Sequence, residues 1–402
     1  MTAVESAIET AGIHTEIISP AEGHYFFGYY DLQPFDSTGR YHLCHKVPFE
    51  DRIPEESDIC ELGMIDMETK KFIKLAETTA WNFQQGAMLQ WYRDDEHIIY
   101  NIREKEAYRS CVLNIKTGEK RILPMAIASL SEDGRRALCV NFSRIFSFRP
   151  GYGYAGIPDK NKDIYAPEDD GVWVMDTETG KCRMIVSIQQ IREAFPKKPY
   201  TDEKLLINHI TLNPSGERYV MLFRNQPGDG SKWVTALIVG DMQGNMRQLA
   251  EWTAHSHYNW KNEEELLIVS RFKEGEDNKL GLYLFNVVTG DSTLLPEPCP
   301  EHPIKDIHCL YSPDRKYIMG DGYPDADGYR WLHFIEAETS KDIVLGKYYS
   351  YNFSNEAMEY RCDLHARFDR TGRYVTFDSN HIGNRCVCLL DMKDLSKCGY
   401  WI

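Results

Sequence analysis

The sequence has little positive charge, no long apolar run and no regular cysteine framework, and each absence excludes a class of protein. With 46 lysines and arginines against 61 aspartates and glutamates, the formal net charge is −15, which argues against a surface for nucleic acid or anionic lipid. No stretch reaches the roughly 18 apolar residues of a membrane span, and residues 1–11 lack the basic and apolar regions of a secretory signal. We therefore expect no nucleic-acid partner and no membrane partner.

The cysteine content is also unlike that of a disulfide-stapled secreted domain. Eleven cysteines are scattered over 402 residues, whereas disulfide frameworks use even, closely spaced sets. This pattern predicts reduced thiols and a cytoplasmic location. What the composition does supply is a core, because 42% of the residues are hydrophobic and 12% are aromatic, as in a large globular protein.

Two kinds of turn alternate along the chain. The first is a polar hairpin between apolar runs, and it occurs seven times, at 35–39, 92–95, 131–134, 213–216, 261–264, 312–315 and 369–372. The second begins with Asp, Asn or Glu and often ends in Thr-Gly, and it also occurs seven times, at 66–69, 114–118, 176–180, 241–244, 286–290, 336–339 and 391–394. Short apolar runs between such turns favour antiparallel strands. Seven four-stranded units predict one all-β domain over residues 1–402, a seven-bladed β-propeller.

Each unit averages about 57 residues, more than the roughly 40 to 50 of simple propeller repeats, so loops must hold the surplus. The longest loops fall between the second and third strands of a blade, at 47–58, 143–170, 225–232, 271–278 and 321–330. In an up-and-down blade these loops lie where the inner strand begins, so one face of the disc carries them. Residues 187–204 are expected to add a short helix there. The ring is expected to close either with 398–402 or with 15–19.

Four histidines occupy one register, four residues before a hairpin turn: His209, His257, His308 and His365. In a propeller this position begins the innermost strand, so four consecutive blades would direct an imidazole to one mouth of the axis. Cys362 adds a thiol three residues before His365, although a buried structural thiol is common too. Imidazole and thiolate together suit zinc or a related transition metal. We therefore predict a metal site formed by His257, His308, Cys362 and His365.

Arginines and polar aromatic residues on the same face are candidates for contact with an anionic ligand. Arginine offers a bidentate fork to a carboxylate, and tyrosine offers a flat face on which a sugar ring stacks. The alternative for each is a surface side chain or a cap of a strand end. The predicted substrate contacts are Tyr30, Gln85, Arg144, Arg149, Tyr152 and Arg271.

Several of these segments together resemble a known family. The segments Asp306–Asp314 and Cys362–Ser379 are similar to those of the oligogalacturonate lyase family and of the propeller-type ulvan lyases. The similarity extends through Trp81–Trp91, Arg149–Tyr154 and Asn208–Arg224, so it covers most of the chain. The C-terminal segments are the more specific ones.

The resemblance implies a seven-bladed propeller with a manganese ion held by histidines and a glutamine of the inner strands. It places His308 and His365 as ligands, Cys362 at the position of the glutamine, and Arg367 where a further ligand histidine would stand. A thiol in place of the glutamine favours zinc. The predicted cofactor is therefore a divalent metal ion, either zinc or manganese.

The resemblance also implies the reaction, which is β-elimination from a uronic acid residue, so that the predicted partner is an acidic oligosaccharide. His209 or His257 is the predicted base, and Arg224 is a carboxylate clamp or, in the family manner, the base. Tyr152 or Tyr154 is the predicted acid for the leaving oxygen.

Ulvan itself is not the expected substrate. The propeller-type ulvan lyases use an upstream histidine pair, and no histidine occurs between His97 and His209. Asn208 and Arg224 stand where a second pair would lie.

Two other functions stay open. A glycoside hydrolase on the same propeller needs a carboxylic acid near the axis, and Asp321, Asp325 and Asp363 are the candidates. A non-catalytic binding propeller is the other, because fold does not fix function. The sequence predicts no oligomeric state.

Overall fold

The computed structural model describes residues 6–197, 203–227, 232–271, 280–298, 306–351, 353–354 and 357–397. Within these residues the chain forms seven antiparallel sheets, each with its strands in sequence order apart from two N-terminal additions. The predicted seven-bladed β-propeller of four-stranded blades is confirmed.

The first three blades follow two short strands, β1 (Ala7–Glu9) and β2 (Glu16–Ile17). Blade 1 comprises β3 (His24–Phe26), β4 (Tyr41–Val47), β5 (Cys60–Asp66) and β6 (Lys71–Thr78). Blade 2 comprises β7 (Gln90–Tyr92), β8 (Asp94–Glu104), β9 (Ala107–Asn114) and β10 (Lys120–Leu123). Blade 3 comprises β11 (Ser129–Leu130), β12 (Arg136–Cys139), β13 (Gly171–Asp176) and β14 (Cys182–Ser187), with α1 (Phe142–Phe148) between its second and third strands.

The remaining blades follow α2 (Ile188–Ala194). Blade 4 comprises β15 (Lys204–Leu212), β16 (Arg218–Gln226), β17 (Thr235–Asp241) and β18 (Met246–Thr253). Blade 5 comprises β19 (His255–Trp260), β20 (Glu265–Arg271), β21 (Leu280–Asn286) and β22 (Ser292–Leu294). Blade 6 comprises β23 (Ile307–Tyr311), β24 (Tyr317–Gly322), β25 (Tyr329–Glu336) and β26 (Asp342–Tyr349). Blade 7 comprises β27 (Arg367–Phe368), β28 (Tyr374–Ser379) and β29 (Cys386–Asp391), and α3 (Lys393–Lys397) follows.

The recurring Asp-turn has a local cause, visible between β13 and β14. The carboxylate of Asp176 accepts the backbone N–H groups of Glu178 (3.0 Å) and Thr179 (2.7 Å). Gly180 follows with a φ of 71°, which glycine adopts without steric cost. The side chain thus holds the turn together with the backbone bond from Gly180 N–H to the carbonyl of Asp176 (2.8 Å), and these local contacts explain why the motif can be recognised from sequence in blade after blade.

The helices are short, and α1 and α2 lie on the face that carries the long loops, whereas α3 follows the third strand of blade 7 on the opposite face. α2 begins with a capping box, in which Ser187 and Gln190 bond each other's backbone N–H groups, and it confirms the short helix expected within 187–204. In the part of the chain that the structure describes, no helix is long and apolar enough to cross a bilayer.

The ring closes through the N-terminal segment. β2 pairs antiparallel with β29, with Glu16 opposite Leu389, and so supplies the outer strand of blade 7. β1 pairs with β26 and adds a fifth strand to blade 6. Closure through residues 15–19 is therefore confirmed, while residues 398–402 lie outside the described part of the chain.

Ile18, the residue after β2, should be a large contributor to this closure. Its side chain is fully buried among residues of blades 1 and 7, and its N–H donates to Val387. Replacing Ile18 with alanine leaves a cavity, so we expect the free energy of unfolding in urea to fall by about 2–5 kcal/mol. The matched control is Ile17→Ala, because the Ile17 side chain is exposed; there the change should stay within about 0.5 kcal/mol. Equal losses in the two variants would contradict the closing role of Ile18.

Candidate functional site

Three of the four predicted histidines meet at the axis. His257 lies in β19, His308 in β23, and His365 two residues before β27. The rings of His257 and His308 are 3.9 Å apart between centroids, and those of His308 and His365 are 4.3 Å apart. All three side chains are buried. His209, in β15, instead packs against tyrosines next to this group.

Local irregularities of the backbone accompany the histidine positions. The pairing of β15 with β16 shifts register next to His209, and the pairing of β19 with β20 shifts around His257. Such β-bulges re-aim side chains and are frequent beside functional sites. His365 has a φ of 44°, in the left-handed region that few non-glycine residues adopt. Regular strands are thus interrupted at three of the four histidines.

Each axial imidazole is held at Nδ1 by a neighbouring oxygen: His257 by Asp306 (2.9 Å), His308 by Asp321 (3.1 Å) and His365 by the carbonyl of Gly28 (2.9 Å). An acceptor at Nδ1 keeps the proton on that nitrogen and leaves the lone pair on Nε2, as in metal-binding histidines. The Nε2 atoms of His308 and His365 are buried and have no hydrogen-bond partner.

Asp363 completes this group of donors. Its Oδ2 atom lies 4.0 Å from the Nε2 atoms of both His308 and His365, and the three donor atoms lie within 4.8 Å of one another. Cys362, which the sequence predicts as a ligand, is not one of the three residues in this donor set. Its buried thiol contacts the carbonyl of Asp363, at 3.9 Å, and burial raises the pKa of the Cys362 thiol. A carboxylate therefore occupies the position for which the sequence suggested a thiol.

These donors fit a divalent cation. The buried Nε2 atoms of His308 and His365 have no hydrogen-bond partner, and such orphaned polar atoms are costly in a protein interior. Imidazole with carboxylate suits both zinc and manganese. Without the Cys362 thiol, the donor set no longer favours zinc over manganese.

Two buried arginines surround the carboxylate. Nη2 of Arg330 lies 2.8 Å from Oδ1 of Asp363, and Nη2 of Arg361 lies 2.8 Å from Oδ2. Burial alone would raise the pKa of Asp363, but the charges of Arg361 and Arg330 outweigh it and hold this pKa well below its usual range. Asp363 is therefore ionised. The motif Arg361-x-Asp363-x-His365 is a sequence signal for this arrangement, whereas no sequence pattern singles out Arg330.

His209 belongs to a second, adjacent group of polar residues. Its Nε2 atom lies 3.3 Å from the hydroxyl of Tyr29, and the two rings are stacked. The ring of Tyr152 meets His209 edge-on at 5.0 Å. Burial, followed by the charges of Arg224 and Arg149, holds the pKa of His209 well below its ordinary value of 6.5. The imidazole is therefore neutral near neutral pH, and its buried Nδ1 has no partner.

Arg224 is buried beside this imidazole and is only partly satisfied. Its Nε atom donates to Thr235 (3.1 Å) and its Nη2 atom to the carbonyl of His255 (3.4 Å), but Nη1 has no partner. Burial and the neighbouring charge of Arg149 lower the pKa of Arg224 to about 10. One buried guanidinium nitrogen is thus free to bind an anion.

Arg149 and Tyr152, two predicted substrate contacts, lie in this group as well. The guanidinium of Arg149 lies over the ring of Tyr152 at 4.2 Å, and the Tyr152 hydroxyl accepts a hydrogen bond from Arg361 (3.3 Å). Tyr152 therefore touches both His209 and an arginine of the Asp363 group, and it links the two halves of the site.

Two other predicted residues are structural. All five N–H donors of Arg144 are used on Leu205 and on the blade 3 loop, so none remains for a substrate. Tyr154 stacks on Phe142 at 4.2 Å, and its hydroxyl accepts from Asn101 (2.9 Å). We place neither residue in the site.

Tyr30, Gln85 and Arg271 are not placed at a substrate position either. The hydroxyl of Tyr30 donates to the carbonyl of Tyr258 (2.9 Å), and its ring packs below the axial histidines. Tyr30 and Gln85, together with Tyr29 and His209, line an axial channel of about 650 Å³ that is bordered by the hairpin turns of the opposite face. Arg271 is half-buried at the end of β20.

Exposed aromatic residues surround the site. Trp233, Tyr323 and Phe353 expose 43%, 38% and 36% of their surface. Arg149 lies over Trp233 at 5.2 Å, and Arg330 lies within 6 Å of the rings of Tyr323 and Phe353. We call these three residues the aromatic rim. They are isolated aromatic residues in loops, so the sequence offered no pattern for them.

The fold and the axial histidines define the class of molecule: a seven-bladed propeller with a polar site at one mouth of its axis. The structure is similar to that of an oligogalacturonate lyase from Vibrio parahaemolyticus, with a TM-score of 0.64 and 15% sequence identity over 96% of each chain. It is also similar to an oligogalacturonate lyase in complex with manganese, with a TM-score of 0.67 and 15% identity over 96% of this chain and 95% of that one. The expected resemblance is confirmed for the fold.

Two sequence comparisons found no match. No protein-family model matches the chain, and no curated protein matches it.

Proposed function

We propose that the protein is a metal-assisted lyase that cleaves uronic-acid-containing oligosaccharides by β-elimination. The proposal rests on one observation. At one mouth of the axis, the donors His308, Asp363 and His365 lie beside two further residues. These are His209, which is neutral, and Arg224, which has one unpaired nitrogen. The similarity in fold to oligogalacturonate lyases, one of them solved with manganese, supports it.

His308, His365 and Asp363 would hold the metal ion, and His257 flanks them. When bound there, a divalent cation would neutralise the substrate carboxylate and so make the neighbouring C–H group more acidic. The residues of the other group then have to position the sugar and remove the proton.

Arg224 is suited to bind the carboxylate. Its Nη1 atom is buried and unpaired, and a charge-assisted hydrogen bond is strong in such a site. The aromatic rim is suited to the neighbouring sugars, because pyranose faces stack on aromatic rings. Together they would fix an acidic oligosaccharide with one uronate over the metal donors.

We assign the base role to His209. If Nε2–H donates to the hydroxyl of Tyr29, Nδ1 carries the lone pair and is the nitrogen that takes the proton next to the carboxylate. Tyr152, which accepts a hydrogen bond from Arg361, is the candidate to protonate the leaving oxygen in place of Tyr154.

A glycoside hydrolase fits the described carboxylates less well. Asp321 accepts hydrogen bonds from His308 and from the N–H of Leu364, and Asp325 accepts from Trp331. Asp363 is held ionised by two arginines. A hydrolase needs a protonated carboxyl group as general acid, and these three groups are committed as acceptors.

Activity is tested by incubating the protein with a panel of 4-linked oligouronides and either Mn²⁺ or Zn²⁺. A lyase generates an unsaturated uronic acid, so ultraviolet absorbance should rise together with new reducing ends. New reducing ends without absorbance would identify a hydrolase. Binding without either product would identify a non-catalytic propeller.

The pH dependence of kcat/KM distinguishes the two candidate bases. His209 must be neutral to accept a proton, and its pKa lies well below 6.5. We therefore expect kcat/KM to be flat from neutral pH upward and to fall only as the pH drops through that low pKa. If Arg224 were the base, kcat/KM would keep rising with pH towards about 10, the lowered pKa of Arg224.

A further inference from the structure

A second set of metal-type donors lies in blade 7 and shares no residue with the first. His381 follows β28, and Cys386 and Cys388 lie in β29. One donor atom from each residue lies within 4.8 Å of the other two, and all three side chains are buried. We call these residues the blade 7 thiol cluster.

The strand geometry brings the two thiols together. Cys386 and Cys388 flank Val387, so both side chains point to the same face of β29, and their sulfur atoms are 3.7 Å apart. Two thiolates about 2.3 Å from a tetrahedral zinc ion would be about 3.8 Å apart. A disulfide would need about 2.05 Å. The observed spacing is too long for a disulfide and fits two sulfurs that share one ion, with the Cys386 thiol also 3.3 Å from the carbonyl oxygen of Ser379.

The loop between β28 and β29 places the imidazole beside these sulfurs. Ser379 pairs with Cys386 at the base of the loop, and its hydroxyl lies 2.8 Å from Nδ1 of His381. The His381 ring also packs edge-on against Tyr348, at 5.6 Å. A hydroxyl partner at Nδ1 and an aromatic wall fix the ring orientation, as outer-shell partners do at metal sites.

We propose that the blade 7 thiol cluster is a zinc site, with Cys386, Cys388 and His381 as its protein ligands. Two thiolates and an imidazole form a soft donor set that favours zinc over manganese, whereas the axial set offers nitrogen and oxygen. The ion would tie the loop of blade 7 to its third strand, in the blade that closes the ring. This inference does not depend on the proposed lyase activity.

Cobalt(II) substitution tests the site, because thiolate-bound cobalt has a sulfur-to-metal charge-transfer band that nitrogen and oxygen sites lack. The full-length protein with Co²⁺ should show this band. His308→Ala should retain it, and the double variant Cys386→Ser/Cys388→Ser should lose it together with one bound zinc per chain. The matched control is Cys111→Ser, which removes a buried thiol from β9, the third strand of blade 2, and should keep both.

Two further measurements decide the matter if the double serine variant does not fold. His381→Gln keeps both thiols, and loss of one ligand should weaken zinc binding by at least about 10-fold. X-ray absorption at the zinc edge of the unsubstituted protein should show sulfur neighbours. Any of three results would overturn the proposal. The first is that the wild-type protein shows no cobalt band, and the second is that its zinc has only nitrogen and oxygen neighbours. The third is a Cys386–Cys388 disulfide in protein purified without reductant.

Discussion

Replacing His308 with alanine should remove the metal ion from the axial site and abolish β-elimination. His308 supplies one of the two orphaned Nε2 donors, and its ring contacts both His257 and His365. A catalytic cation stabilises the transition state by several kcal/mol, so kcat/KM should fall by at least about 10³-fold. Initial rates of ultraviolet absorbance and metal analysis of the purified variant measure the two effects.

The matched control is His333→Ala in the same blade. His333 is also buried, and its Nδ1 atom also bonds an aspartate, Asp342, at 2.7 Å, but it lies in β25, away from the axis. It should keep the axial metal and turnover. Full turnover by His308→Ala would refute the metal role, and equal losses in both variants would show that damage to blade 6 causes the effect.

Replacing Arg224 with lysine should lower kcat/KM by about 10²–10³-fold, the usual effect of losing one donor to a developing negative charge. Lysine keeps the positive charge but lacks the planar fork, so it cannot bond Thr235 and a carboxylate together. Lysine is preferable to alanine because it leaves no large cavity. Kinetics on the cleaved oligouronide, measured across pH, give the result.

The control for this variant is Arg121→Lys, at an exposed arginine of the outer strand β10, which should leave kcat/KM unchanged. Normal turnover by Arg224→Lys would contradict a carboxylate clamp that depends on the fork. If kcat/KM of the wild type rises at alkaline pH and the Arg224→Lys variant loses that rise, the base is Arg224 and not His209.

The fold could be predicted from the sequence because its turns are defined by local chemistry. A carboxylate such as that of Asp176 holds its own turn, so the motif repeats wherever a blade turns. Ring closure could not be decided in this way. The pairing of Glu16 with Leu389 depends on strands far apart in the chain, and both candidate segments have suitable composition.

Only the site residues that occupy the same strand position in successive blades could be predicted from the sequence. His257, His308 and His365 share a register, and the inner strands of a propeller converge, so their meeting follows from the fold. Cys362 and Asp363 are adjacent, and in an extended segment neighbours point to opposite sides. Which of them faces the axis depends on an irregular stretch that ends with the left-handed His365, and no sequence period describes it.

The closing strand has a consequence for how the protein is made. β2 is synthesised long before its partner β29, and the first six blades lie between them in the chain. Until β2 docks, the incomplete blade 7 presents β29 as an unpaired edge, which is the usual starting point of strand exchange and aggregation. Contacts between such distant segments also form slowly. The interval between the synthesis of β29 and the docking of β2 is therefore when this chain most needs a chaperone.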